Sequence, residues 1–174
     1  MGVDVGNARV GVAVCDPDGI MATPLKTLRR DVKKNSDQRV LMKLIEVNDI
    51  VEVFVGLPKT MRGGHSTSTQ MAHEYARAIA QQLGERGHSI PVRLIDERLT
   101  TVSAHRSLHE AGVSSRDFKS VVDQVAAVNI LETALDTLKA GHREPGELVE
   151  LTIAPGEQIF DAEAQNDHDT ETTE

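Results

Sequence analysis

Three acidic residues stand where a globular chain rarely tolerates them. Asp4 lies inside an apolar stretch between Val3 and Val5, and Glu97 follows the run Val92-Arg-Leu-Ile-Asp96. Asp123 heads a small-residue stripe, because its i+3, i+4, i+7 and i+11 neighbours are Ala126, Ala127, Ile130 and Ala134. That spacing places the stripe on one helical face, turned to the core. An ionised carboxylate buried without a partner is costly, and several buried together cost more. A divalent cation removes the cost, and hard oxygen donors suit Mg²⁺ or Mn²⁺. Two such ions about 3.5–4 Å apart activate a water and stabilise the leaving oxygen of a phosphodiester. Acidic residues from two strands and a distant helix are the parts such a site requires, and spacing alone suggests a carboxylate site without identifying it.

Each carboxylate also has a plainer explanation. Asp4 before Val-Gly6 fits turn chemistry at a strand end. Asp96-Glu97-Arg98 fits a helix-capping and ion-pair cluster, and Asp123 fits an early-helix acid favoured by the helix dipole. Alternation puts Asp96 and Glu97 on opposite faces of a strand, so periodicity leaves open which of the two would join the site.

The elements that must position these groups follow from the pattern. Gly2–Val5, Arg9–Cys15 and Met21–Leu28 read as strands, with Asp16-Pro-Asp-Gly19 as a turn. Connections this short require an antiparallel meander, since a parallel return takes about a dozen residues or more. Helices are expected at 36–47, with Val40, Leu41, Leu44, Ile45 and Val47 apolar, and at 66–83, with Met71, Tyr75, Ala78, Ile79 and Leu83 facing inward. Strands are expected at 50–55 and 92–95, and further helices at about 100–111 and 120–139. The expected order is β-β-β-α-β-α-β-α-α, a meander feeding two crossovers. An additional edge strand is expected over Leu148–Ile153.

The charge is unevenly spread. The net −8 arises because residues 141–174 hold ten of the 27 acidic residues and one of the 19 Lys and Arg. Residues 1–140 are near neutral, which leaves the placement of basic groups to decide phosphate binding. We expect a folded domain over 1–140 and an acidic, disordered tail over 141–174. One cysteine excludes an internal disulfide framework, and Cys15 reads as core packing. With no apolar run of about 18 residues and no secretory layout at Met1-Gly2-Val3-Asp4, a cytoplasmic protein is expected.

Other motifs carry less. Gly56-Leu-Pro-Lys-Thr60 lacks the glycine before lysine that a P-loop requires, and reads as a strand exit with Lys59 and Arg62 available to a phosphate backbone. His105 and His109 lack the glutamate of a zinc-protease motif and read as a solvent-facing pair. Ser66-Thr-Ser-Thr69 reads as a helix start with a capping hydroxyl. Arg29, Arg30, Lys33 and Lys34 form a basic run, ordinarily a solvated one, that can also track a phosphate backbone.

Gly2-Val-Asp-Val-Gly-Asn-Ala-Arg-Val-Gly-Val-Ala13, Val55-Gly-Leu-Pro58, Asp96-Glu-Arg-Leu-Thr-Thr101 and Val122-Asp-Gln-Val-Ala-Ala-Val128 together resemble the RuvX/YqgF family, known as pre-16S rRNA nucleases or Holliday-junction resolvase homologues. The match covers roughly residues 1–140, in order. The resemblance implies an α/β, ribonuclease H-like fold with a mixed five-stranded sheet, and an acidic centre on Asp4, Glu97 and Asp123. It selects Glu97 over Asp96. It implies Mg²⁺ or Mn²⁺, expected as two ions, with Asp4 bridging them. Arg9 and Arg98 are then candidates to position phosphate, beside Lys59 and Arg62. The implied role is trimming the 5′ end of pre-16S rRNA. The second role is cleavage of branched DNA, and the rival of another class is a non-catalytic nucleic-acid-binding scaffold. The chain opens almost directly on the first motif, so its first strand is expected to be shorter than in relatives. Gly2-x-Asp-x-Gly6 also resembles the first phosphate loop of actin-like ATPases, but that superfamily needs two such domains.

Overall fold

The computed structural model describes residues 1–58, 66–97, 118–141 and 144–151, with the backbone alone over 118–122. The elements are β1 (Gly2–Val5), β2 (Arg9–Cys15), β3 (Ala22–Arg29), α1 (Ser36–Val47), β4 (Val53–Leu57), α2 (Thr67–Glu85), β5 (Val92–Asp96), α3 (Phe118–Lys139) and β6 (Glu147–Leu148). The sheet order is β3-β2-β1-β4-β5-β6. The first three strands form the expected antiparallel meander, and β1, β4 and β5 run parallel through the crossovers. The turn at Asp16 is fixed by its own side chain, whose Oδ1 accepts from the backbone N–H of Ile20 at 2.8 Å and of Met21 at 2.7 Å.

Six strands replace the five expected. The sixth, β6, pairs antiparallel with the outer side of β5, and Glu147 lies where the expected edge strand had not yet begun. Two residues are too short for alternation to reveal. The pairing is supported by Arg93, whose guanidinium is held by Glu52 (2.6 Å) and Glu144 (2.8 Å). The sheet therefore takes up chain beyond Gly141.

Strand β4 begins three residues later than expected. The N–H of Ile50 donates to Ile45 O at 3.1 Å and Asp49 sits at φ 49, so Asn48–Ile50 closes the end of α1 in a Schellman-like turn. At the other end of the crossover, Ser66 caps the start of α2 as expected, and with Thr69 it forms a capping box. The inner face of α2 is rotated slightly from the expected one: Ala72 and Ala76 are buried beside Tyr75, Ile79 and Leu83, while Met71 and Ala78 are only partly covered.

Two cores flank the sheet. Val3, Val5, Val10, Val12, Val53 and Val55 meet α1 and α2 on one face. Ala13, Phe54 and Ile95 meet Ala127, Ile130, Leu131 and Ala134 of α3 on the other. Helix α3 lies very close to the strands because two of them offer glycine. A β-carbon at Gly2 would collide with Ala127 O, and one at Gly11 with Asp123 O. The first turns of α3 are thereby laid directly on β1 and β2.

Part of the basic run is structural. The Arg30 side chain is largely covered, pairs with the fully buried Asp37 carboxylate at 2.9 Å and lies 4.7 Å from the centre of the Tyr75 ring. It ties the β3–α1 connection to α2 and is not available to a phosphate backbone. Arg29, Lys33 and Lys34 remain exposed. Cys15 is a free, half-buried thiol packed against the α3-side core, as expected. The expected helix at 100–111, with His105 and His109, lies outside the described residues.

Candidate active site

The site is assembled on the α3 face of the sheet. Asp4 pairs directly across the ladder from Gly11, so both share a face. Over Gly11 sits the backbone of Asp123, which brings the start of α3 to the Asp4 carboxylate. On β5, Ile95 packs in the α3-side core and pairs with Gly56 of β4. Glu97, the residue after the strand, has its carboxylate over Gly56 beside Ile130, which places it on the α3 face.

Gly56 has its own part in this arrangement. A β-carbon there would collide with Glu97 Oε1 and with Ile130 Cδ1. The missing side chain is the seat of the Glu97 carboxylate. Sequence reading had treated Gly56 only as part of a failed P-loop and of a family motif. A glycine inside an otherwise apolar, fully buried strand was the available signal, because such a glycine often marks a close approach.

The electrostatics match a crowded acidic centre. Burial, then the nearby Asp123, pushes the Asp4 carboxyl up to about 6. Burial, then Asp4 and Asp96, pushes Glu97 up to about 7. Asp4 is thus within electrostatic reach of both other acids. Arg9, the first residue of β2, donates from Nε to Asp123 Oδ2 at 2.6 Å. The expected phosphate ligand is in this state a partner of the third carboxylate. Among the described residues no three acidic, His or Cys side chains close on one point. The carboxylates form an open set, not a finished cage.

The donor set fits a hard divalent cation. Among the described residues the side chains offered are carboxylates, two of them desolvated and mutually repelled, and a cation would relieve both costs. Lys59, Arg62 and Arg98, the remaining expected nucleic-acid contacts, lie outside the described residues.

The chain is similar to known proteins. A relative from Mycobacteroides abscessus, named "Putative pre-16S rRNA nuclease", is 50% identical over 136 residues, 78% of this chain and 80% of its own. One of the same name from Mycolicibacterium smegmatis is 51% identical over 142 residues, covering 80% and 81%. Another from Streptomyces avermitilis is 46% identical over 154 residues, covering 88% and 95%. The solved structure of Thermus thermophilus RuvC in complex with a Holliday junction substrate superposes with a TM-score of 0.52 at 14% identity, over 79% of this chain and 93% of that one. That likeness gives the fold, the ribonuclease H-like one. The profile of the RuvX family, described as Holliday junction resolvase, matches residues 1–137, and the chain belongs to that family.

Proposed function

We propose that this protein is a divalent-metal-dependent nuclease that trims the 5′ end of pre-16S rRNA. The observation that carries the reading is the convergence of Asp4 and Glu97 on one sheet face, both desolvated and both raised toward neutrality, beside the start of α3 that bears Asp123. The rRNA substrate is supported by relatives named for that activity at 46–51% identity.

Asp4, Glu97 and Asp123 would hold Mg²⁺ or Mn²⁺, expected as two ions, which when bound would supply an activated water and stabilisation of the leaving oxygen. The chain's own contribution is to hold the three carboxylates oriented, on β1, just after β5 and on α3, and to exclude bulk water beneath them with Ile130 and Ile95. Arg9, Lys59, Arg62 and Arg98 take the nucleic-acid backbone, giving sequence-independent affinity. The catalytic unit is residues 1–140 with β6 bound at its edge. The acidic tail takes no part in the chemistry, and the protein acts in the cytoplasm.

A second reading, cleavage of branched DNA, is favoured by the description of the family itself. Cleavage with Mg²⁺ or Mn²⁺ of a structured RNA bearing the 16S 5′ flank, a linear DNA duplex and a four-way DNA junction separates the two. Preference for the RNA supports rRNA trimming, and preference for the junction replaces it with the second reading. Absence of metal-dependent cleavage on all three leaves the non-catalytic scaffold.

A further inference from the structure

Arg9 occupies an unusual position for a phosphate-binding residue, since its guanidinium is already engaged with one of the three acids. The contact is made through Nε, and among the described residues it is the one side-chain hydrogen bond Arg9 makes. The pair is partly solvated, with the Arg9 side chain 36% and the Asp123 side chain 24% exposed. A partly exposed, single-point ion pair contributes little and opens readily. The Arg9 backbone, by contrast, is fixed: its carbonyl accepts from Gly6 N–H at 2.8 Å, and the neighbouring Ala8 carbonyl accepts from Arg30 N–H at 3.0 Å. The side chain can therefore swing about an anchored Cα. Arg9 also lines an open cleft of about 490 Å³, with Ala8, Thr27, Leu28 and Arg29. Arg29, directly across the ladder from Arg9, is exposed and adds a second positive charge there.

We propose that Arg9 is an exchangeable counter-ion: in the metal-free protein it holds and neutralises Asp123, and on cation loading it is released into the β2–β3 cleft, where with Arg29 it grips the phosphate flanking the cleavage site. The inference rests on the proposed metal site and adds an order to it. A divalent cation and a guanidinium compete for the same carboxylate, so Arg9 lowers the affinity for metal. Coupling is reciprocal, so metal lowers the hold of Asp123 on Arg9. Metal loading thereby frees a phosphate ligand at the moment the site becomes competent. Arg9 acts as a positioning residue.

The test is Mn²⁺ titration by calorimetry on the full chain without nucleic acid, comparing wild type, Arg9→Gln, Arg9→Lys and Asp123→Asn. Removing the competing charge should tighten Mn²⁺ binding by about three- to tenfold in Arg9→Gln, while Arg9→Lys, which keeps the charge, should stay near wild type. In parallel, binding of a structured RNA in Ca²⁺ should weaken in Arg9→Gln and in Arg29→Ala, with Arg29→Ala leaving the Mn²⁺ isotherm unchanged. Unchanged or weaker Mn²⁺ binding in Arg9→Gln, with Mn²⁺ binding lost in Asp123→Asn, overturns the counter-ion role and leaves the metal site standing. Mn²⁺ binding absent from wild type, or indifferent to Asp123→Asn, overturns the metal site and this inference with it.

Discussion

Asp4 and Glu97 are held at about 6 and about 7, against ordinary carboxyl values near 4 in an unfolded chain. Both shifts are upward, so between pH ~4 and ~7 the folded protein binds more protons than the unfolded one. Stability of the metal-free protein should therefore fall as pH rises through that window. Thermal melts in chelator should give a higher Tm at pH 5 than at pH 7.5, and Asp4→Asn or Glu97→Gln should flatten the difference. A Tm rising from pH 5 to 7.5 in the wild type would show that these carboxyls are not desolvated together. The same protons must leave when a cation binds. Mn²⁺ binding at pH 6.5 should release protons, measured as a dependence of the calorimetric heat on buffer ionisation enthalpy. For cleavage, Asp4→Asn, Glu97→Gln and Asp123→Asn should each lose at least about a hundredfold, the upper end of what losing even a supporting outer-shell partner costs.

At the scale of elements, the glycines divide into two kinds. A side chain at Gly11 meets backbone, the carbonyl of Asp123, whereas one at Gly56 meets the movable ends of Glu97 and Ile130. Gly11→Ala should therefore lift α3 from the sheet and destabilise the fold by about 1–3 kcal/mol, the usual cost of overpacking. Gly56→Ala should cost less stability but displace the Glu97 carboxylate, so metal affinity falls while the denaturant midpoint changes little. Equal loss of both properties in the two variants would contradict this division. These contacts also show where sequence reading stops. The meander, α1 and the Asp123 stripe were legible because short connections and helical spacing restrict the alternatives. The start of β4 was not, because both its faces are buried and alternation vanishes. Arg30 read as a solvated cation because its partners, Asp37 and Tyr75, come together only in the fold. The convergence of Asp4 and Glu97 on one face depended on the β4–β5 register, which no single strand carries.

For the whole molecule, the distribution of charge matters more than its sum. Residues 152–174 hold seven acidic residues and no Lys or Arg, so deleting them moves the net charge from −8 to −1. The deletion should tighten binding of structured RNA most at low salt, where screening is weakest. It should leave the Tm unchanged, whereas deletion from Glu144 onward also removes β6 and one of the two carboxylates on Arg93, and should lower it. A fall of Tm equal in both truncations would place the stabilising contacts in the acidic tail instead. The central claim is that three carboxylates from β1, β5 and α3 make one metal-dependent cutting site. Its most direct test is cleavage of a structured RNA carrying the 16S 5′ flank by wild type and Glu97→Gln, in Mn²⁺ and in chelator. Cleavage is expected only by wild type with Mn²⁺. Cleavage by wild type in chelator, or undiminished cleavage by folded Glu97→Gln, would contradict it.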